Sequence, residues 1–247
     1  MSAPAEHLFI VTGASRGLGR SIALQLLRPG HSVLGLSRQT PAAPPGLEQW
    51  PCDLADPLPV AARLRSWLGG HDARRFASAT LINNAALLAE PGPLRDADVA
   101  SLSAAVRVGL EAPLLLTAAF LDATRAWPAA KRVLHISSGL GRRAMASAGP
   151  YCAVKAALDH LARAQALEEA LHANGAKVVS LAPGIIDTDM QVQLRGADAA
   201  AFPDRDAFVQ MKSGGQLDSP DAAAAKVIAY LARADFGQQP ISDVRDA

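Results

Sequence analysis

Leu8-Phe-Ile-Val-Thr-Gly-Ala-Ser-Arg-Gly-Leu-Gly-Arg-Ser-Ile-Ala-Leu-Gln-Leu-Leu27 is the stretch that decides the fold. It opens on an apolar, partly β-branched run, Leu8 to Thr12, and closes on Arg20 to Leu27, where apolar side chains recur at helical spacing. Between them stands Gly13-x-x-x-Gly17-x-Gly19. The order is strand, glycine turn, helix. Glycines at such a turn let the backbone come close to a pyrophosphate, which the unpaired N–H groups of the helix N-terminus hold. The spacing departs from the usual Gly-x-Gly-x-x-Gly, so taken alone the stretch also fits a plain strand-to-helix turn.

The same alternation continues outward. His31 to Ser37 reads as a strand ending at Arg38. In dinucleotide-binding folds an acid at this place binds the adenosine ribose, while a nearby arginine accommodates a 2′-phosphate. Arg16 and Arg38 are present with no acid beside them, and guanidinium–phosphate pairing is geometrically selective, so NADP(H) is expected over NAD(H). Leu47 to Leu54 is a short strand that brings Asp53 to where it could border an adenine. Pro57 to Leu68 is a helix, with Trp67 and Leu68 in its core face. Ser78 to Ala86 is a strand running into the turn Asn83-Asn84-Ala85-Ala86. Asp96 to Thr124 spans two helices, and Arg132 to Ser137 is a strand leading into Ser138. A helix from Tyr151 to about Ala173 follows, then the strand Lys177 to Ala182 with its turn Pro183-Gly184, a helix over Pro220 to Ala234, and a last strand near Gln239 to Val244. Strands alternating with helices predict an α/β domain with a parallel sheet and right-handed crossovers, its ligands at the carboxyl ends of the strands. No linker divides the chain, so residues 1–247 are expected to form one domain. Within it 189–219, broken by Gly196, Pro203, Gly214 and Gly215, is expected to be a substrate-covering lid.

Composition narrows the partners. Twenty-four Lys+Arg against 23 Asp+Glu leave a formal charge of +1 over 247 residues, which gives no footprint for nucleic acid or anionic lipid. Apolar runs are interrupted before the roughly 18 residues that a membrane span needs. The start of the chain lacks the basic and apolar regions of a secretory signal, so a cytoplasmic protein is expected. Cys52 and Cys152 make neither a disulfide framework nor a metal cluster. A small-molecule ligand is the expectation, with no metal.

Tyr151 and Lys155 stand one helical turn apart and share a face. A free phenol has a pKa of about 10, and a neighbouring cation favours its ionised form. The pair is therefore a candidate acid whose strength the lysine tunes. His135, inside its strand, reads as a hydrogen-bonded strand residue, and Cys152 as a half-buried helix residue turned away from Tyr151.

Taken together, Thr12-Gly-Ala-Ser-Arg-Gly-Leu-Gly19, Asn83-Asn-Ala-Ala86, Ser138, Tyr151-x-x-x-Lys155 and Pro183-Gly184 resemble, in order and spacing, the short-chain dehydrogenase/reductase family. The resemblance implies a Rossmann-type, doubly wound domain with about seven parallel strands and helices on both faces. It also implies hydride transfer at a nicotinamide, and a homodimer or homotetramer. Tyr151 becomes the proton donor, Lys155 the cation beside it and a ligand of the nicotinamide ribose, and Ser138 the group that orients the substrate oxygen. Gly13, Ser15, Arg16, Gly17, Leu18 and Gly19 would meet the pyrophosphate or 2′-phosphate, and Asp53 and Leu54 the adenine. Asn84 would meet the adenosine ribose, and Pro183, Gly184, Ile186 and Thr188 the carboxamide end. Two departures stand out. Ala86 replaces a glycine of the family turn, and Gly109 falls where the family has an asparagine that supports a water behind the lysine. Water alone or Glu111 would then have to substitute for it.

Within the family, Glu90-Pro-Gly-Pro-Leu94, Pro183 to Gln191 and the ending Ile241-Ser-Asp243-Val-Arg-Asp look like sepiapterin reductases and bacterial benzil reductases. That likeness implies a substrate-binding role for Asp243, against a plain strand-capping one. The expected function is NADPH-dependent reduction of a ketone or diketone. The alternatives are an NADP-dependent alcohol dehydrogenase running in reverse, or an NADP(H)-binding sensor or scaffold impaired by Gly109.

Overall fold

β-Branched and leucine-rich runs become strands here because both of their faces are covered, and the covering runs become helices because only one stripe of each is apolar. The computed structural model describes residues 6–246. In chain order β1 (Glu6–Thr12) is followed by α1 (Gly17–Gln25), β2 (His31–Ser37), β3 (Leu47–Pro51), α2 (Pro57–Gly69) and β4 (Phe76–Asn83). Then come α3 (Val99–Val106), a π-helical segment (Arg107–Glu111), α4 (Ala112–Ala123) and β5 (Ala130–Ile136). The chain continues with α5 (Gly149–Glu169), β6 (Lys177–Ala182), α6 (Asp189–Gly196), α7 (Arg205–Ser213), α8 (Pro220–Leu231) and β7 (Ile241–Asp243).

All seven strands are parallel, in the order β3-β2-β1-β4-β5-β6-β7. The order reverses between β1 and β4, and at such a switch point the loops leaving the carboxyl ends diverge and open a crevice. Side chains alternate across the sheet. Leu8, Ile10, Leu34, Leu36 and Leu81 pack under α2 and α4 with Leu64, Leu68, Leu116 and Phe120. Val11, Val33, Ile82, Leu134 and Leu181 pack on the other face against Ile22 of α1 and Ala223, Ala224 and Val227 of α8. This is a doubly wound Rossmann-type α/β fold, as the sequence led us to expect.

Three expectations change in detail. The strand over Leu47–Leu54 stops at Pro51, and Asp53 instead caps the next turn, its Oδ1 accepting from the Ala55 N–H at 2.9 Å. The two helices of Asp96–Thr124 join through the π-helical segment into one 25-residue run, Val99–Ala123, long and apolar enough by composition to cross a membrane. Ala105, Val108, Ala112, Leu116 and Phe120 are nevertheless buried, so its apolar character is that of a core helix. Segment 189–219, expected to be a lid broken by glycine and proline, carries regular structure. It forms α6 and α7, whose Leu194 and Phe208 close with Phe202 over a small core of their own that Leu88 and Met145 join from the body of the domain.

Candidate active site

The glycine loop is shaped by what it packs against. Gly13 has φ +70°, and a Cβ on Gly19 would run into the Gly13 carbonyl and the Asn84 amide. Asn84 locks this turn to its neighbour strand: its Nδ2 donates to the Thr12 carbonyl at 2.9 Å, while the Asn84 and Ala85 N–H groups donate to Thr12 Oγ1 at 2.9 and 3.0 Å. Helix α1 then begins with no side-chain cap and no acid in its first turn. Its first N–H groups and the positive end of its dipole are thus available to an anion.

Across the sheet, Ser138 follows β5, and Tyr151 and Lys155 stand in the first two turns of α5. Lys155 is 2 % exposed, and its Nζ donates to the Ile136 carbonyl at 2.7 Å while lying 5.5 Å from the Tyr151 ring centroid. Burial pushes its pKa down to about 8, with the Asp159 carboxylate opposing that shift. Tyr151 moves the other way. Burial raises it to about 12, with the Ser138 hydroxyl pulling it back. The expected lowering by the lysine is therefore overturned: the ammonium is spent on a carbonyl, and desolvation of the phenolate dominates. Buried Asp159 accepts from Ser137 Oγ at 2.6 Å and Ser180 Oγ at 2.7 Å. His135 is fully buried between Asn83 and Gln165, its Nε2 2.9 Å from Gln165 Oε1, and its pKa falls to about 4 for want of solvent.

Every residue assigned from sequence to the cofactor or to catalysis, from Gly13 to Thr188, lines one cleft of about 810 Å³ at the carboxyl ends of the strands. Arg38 enters it from the end of β2. Arg16 does too, but its Nη1 already donates to Asp189 Oδ2 at 2.7 Å, tying the glycine loop to the first residue of α6. The exception is Asp243. It does not line the cleft, because the residue is 3 % exposed and its carboxylate is taken by Arg245. It is Arg245 that reaches the cleft wall.

Residues 7–199 match the family model described as short chain dehydrogenase. The chain belongs to that family. Among its short-chain dehydrogenase relatives, a benzil reductase ((S)-benzoin forming) of Bacillus cereus is 33 % identical over 237 residues, covering 93 % of this chain and 95 % of that protein. A sepiapterin reductase of Rattus norvegicus is 33 % identical over 247 residues, covering 92 % of each. The crystal structure of a short-chain dehydrogenase/reductase from Burkholderia vietnamiensis is 37 % identical, with a TM-score of 0.64 and 99 % of both chains covered.

For a short-chain dehydrogenase, the position of Gly109 is the feature to explain. It lies in the π-helical segment, and a Cβ there would come within 2.6 Å of Val154 Cγ1. Val154 fills the place a side chain would take, and Glu111 does not line the cleft. The residues that sequence reasoning missed are Arg142, Asp159 and Arg245. Asp159 is legible only as one more helix acid, and its partners arrive from β5, β6 and the turn after Ser138. The signal for Arg245 was present in Asp243-x-Arg245, an acid two residues before a base, which the turn after β7 brings together through the Arg245 N–H and guanidinium.

Proposed function

We propose that this short-chain dehydrogenase reduces a ketone or diketone with NADPH, Tyr151 delivering the proton. The observation that carries the reading is the shared cleft: a phenol, a buried lysine and Ser138 face the same space as an uncapped glycine loop and Arg38. The cradle suits a dinucleotide, since Gly19 leaves room where a side chain would stand and the N-terminus of α1 offers N–H donors. Arg38 and Arg16 would take the 2′-phosphate. A bound nicotinamide would supply hydride to the carbonyl carbon. Ser138 would hold the carbonyl oxygen, and the C=O π pair would become the new O–H bond as the Tyr151 hydroxyl gives up its proton. Tyr151, with its pKa near 12, stays protonated through the neutral range and so stands ready as donor. Lys155, still charged below about pH 8, would hold the nicotinamide ribose beside the phenol. The reverse reaction, alcohol oxidation, uses the same groups.

Of the two relatives' substrates, the benzil-like ketone is the better fit. Asp243, the acid that an amino-substituted pterin would seek, is already engaged by Arg245. A homodimer or homotetramer in the cytoplasm completes the reading. Leu167 near the end of α5 and Leu171 just past it, 73 % and 85 % exposed, offer apolar surface to a second copy, and both cysteines are free thiols.

The sensor alternative draws on Gly109 and its occupied surroundings. One assay separates the two: NADPH oxidation followed over a panel of α-diketones and pterins, with Tyr151→Phe as control. Turnover of diketones that falls at least about a thousandfold in the variant is expected from loss of a general acid whose absence also strips the carbonyl oxygen of a donor. Turnover indifferent to Tyr151→Phe would refute the mechanism, and tight NADPH binding without turnover of any ketone would favour the sensor.

A further inference from the structure

Four charges run in a line from the inner face of α5 to the cleft. Asp159, 3 % exposed, accepts from Arg142 Nε at 3.3 Å. Arg142 reaches on toward β7, donating through Nη2 to the Ser242 carbonyl at 2.7 Å, with its Nη1 3.9 Å from Asp243 Oδ2. Asp243, also 3 % exposed, accepts from Arg245 on both oxygens: Nε to Oδ1 at 2.8 Å and Nη2 to Oδ2 at 2.6 Å, with the Arg245 backbone N–H adding a third bond at 2.9 Å. Of the four, Arg245 alone lines the cleft, and its side chain is 62 % exposed.

A fork-to-fork pairing of this kind fixes the plane of a guanidinium. An arginine on an exposed tail would otherwise spread over many rotamers. Here a buried carboxylate, itself steadied by Arg142, holds the near edge and leaves Nη1 without a partner among the described residues. A second guanidinium lines the same cleft: Arg143, five residues past Ser138, which makes no ion pair among the described residues. Apart from Asp243, which already pairs with Arg245, the acids nearby are engaged or distant. Asp187 is held by Lys212 and Arg195, Asp189 by Arg16, and Asp53 lies past the end of β3, at the opposite edge of the sheet from β7.

We propose that Arg245 is a specificity-determining residue that binds a carboxylate on the ketone substrate, and that Asp243 is the positioning residue that sets it. This rests on the reductase reading, and it narrows the substrate class to keto acids in place of an uncharged benzil-like ketone. An amine-bearing heterocycle is disfavoured by the same geometry, because it would meet a guanidinium where it needs an acceptor.

The test compares benzoylformate with its methyl ester, which masks the charge of the carboxylate. With NADPH, the acid-to-ester ratio of kcat/KM is the readout, because the two ketones differ in intrinsic reactivity and only the change in the ratio reports the guanidinium. In Arg245→Leu the ratio should fall by about tenfold or more, the worth of one charge-assisted hydrogen bond, chiefly through the KM of the acid, and Arg245→Lys should recover part of it. The double variant Asp243→Asn/Arg245→Leu removes the pair without leaving a buried acid short of a partner, and should match the single variant. A parallel arm measures equilibrium binding of benzoylformate to the NADP⁺-saturated protein. Weaker binding in Arg245→Leu by about tenfold is expected on the same ground. If neither ketone turns over while this binding difference holds, the reductase reading fails and Arg245 keeps its role. An unchanged ratio, or unchanged binding, overturns the role of Arg245 whatever the turnover.

Discussion

Lys155 keeps its proton against burial, and that opposition can be measured. Its value in the folded chain, about 8, lies below the ordinary 10.5. Between those values the unfolded chain binds more protons, so this residue makes stability rise with pH across that window. Tyr151 has the opposite sign: its folded value of about 12 exceeds 10, so its contribution is lost as pH climbs from 10 to 12. We expect Lys155→Met to abolish ketone reduction yet raise stability at pH 7 by about 1–3 kcal/mol, since the variant no longer buries a charge. Urea unfolding of both proteins from pH 6 to 11 checks this, and the gap between them should close above pH 8. Reduction by the wild type should itself decline above about pH 8 as the ammonium is lost. The Tyr-x-x-x-Lys spacing was readable from sequence because a helix repeats every turn. The direction of the tyrosine shift was not, because it depends on solvent exclusion and on a carbonyl of β5, which lies outside the helix.

Gly109 and Val154 form a matched pair between the π-helical segment and α5. A mid-helix π turn displaces side chains from their regular places and is commonly kept at functional sites. Placing Asn at position 109 should not restore a relay, because its Cβ would press on Val154 Cγ1, and Val154 is stiff at χ1 and adjoins Lys155. Gly109→Asn should therefore destabilise the protein by about 1–3 kcal/mol and depress turnover, and adding Val154→Ala should recover most of the loss. Thermal unfolding and NADPH oxidation on the single and double variants decide the point; no recovery in the double variant would mean that the clash is not what limits Gly109→Asn. The missing asparagine was visible by aligning motifs. What occupies its place was not, since Val154 lies in another helix. Helices α6 and α7 were obscured for a related reason: Gly196 and Pro203 break the apolar period, and Phe202 and Phe208 meet only after the chain has turned.

At the scale of the whole molecule the fold was legible because each βα unit repeats one pattern, and a parallel sheet with right-handed crossovers leaves few arrangements of seven strands. Cofactor choice also belongs to this scale, since Arg16 and Arg38 come from different units and line the same cleft. The Arg16–Asp189 pair is exposed, 67 % and 71 %, and pairs of that kind are worth about 0–1 kcal/mol, so a phosphate can displace it. Arg38→Asp should swing the NADPH-to-NADH affinity ratio by at least about a hundredfold, given two or more charge-assisted bonds lost and a like charge introduced. Arg16→Ala should have a smaller effect, and fluorescence titration with both cofactors reads each. Asp243 was misplaced in the cleft because its partners, Arg142 and Arg245, come from segments about a hundred residues apart in sequence. That wiring also governs how the protein can change. Altering position 243 alone leaves Arg142 and Arg245 as neighbouring like charges, and altering 245 alone leaves buried Asp243 with only the longer Arg142 contact, so the two codons behave as one heritable unit. A library built to broaden substrate scope should draw them jointly, and natural drift at this wall of the cleft should proceed in paired steps.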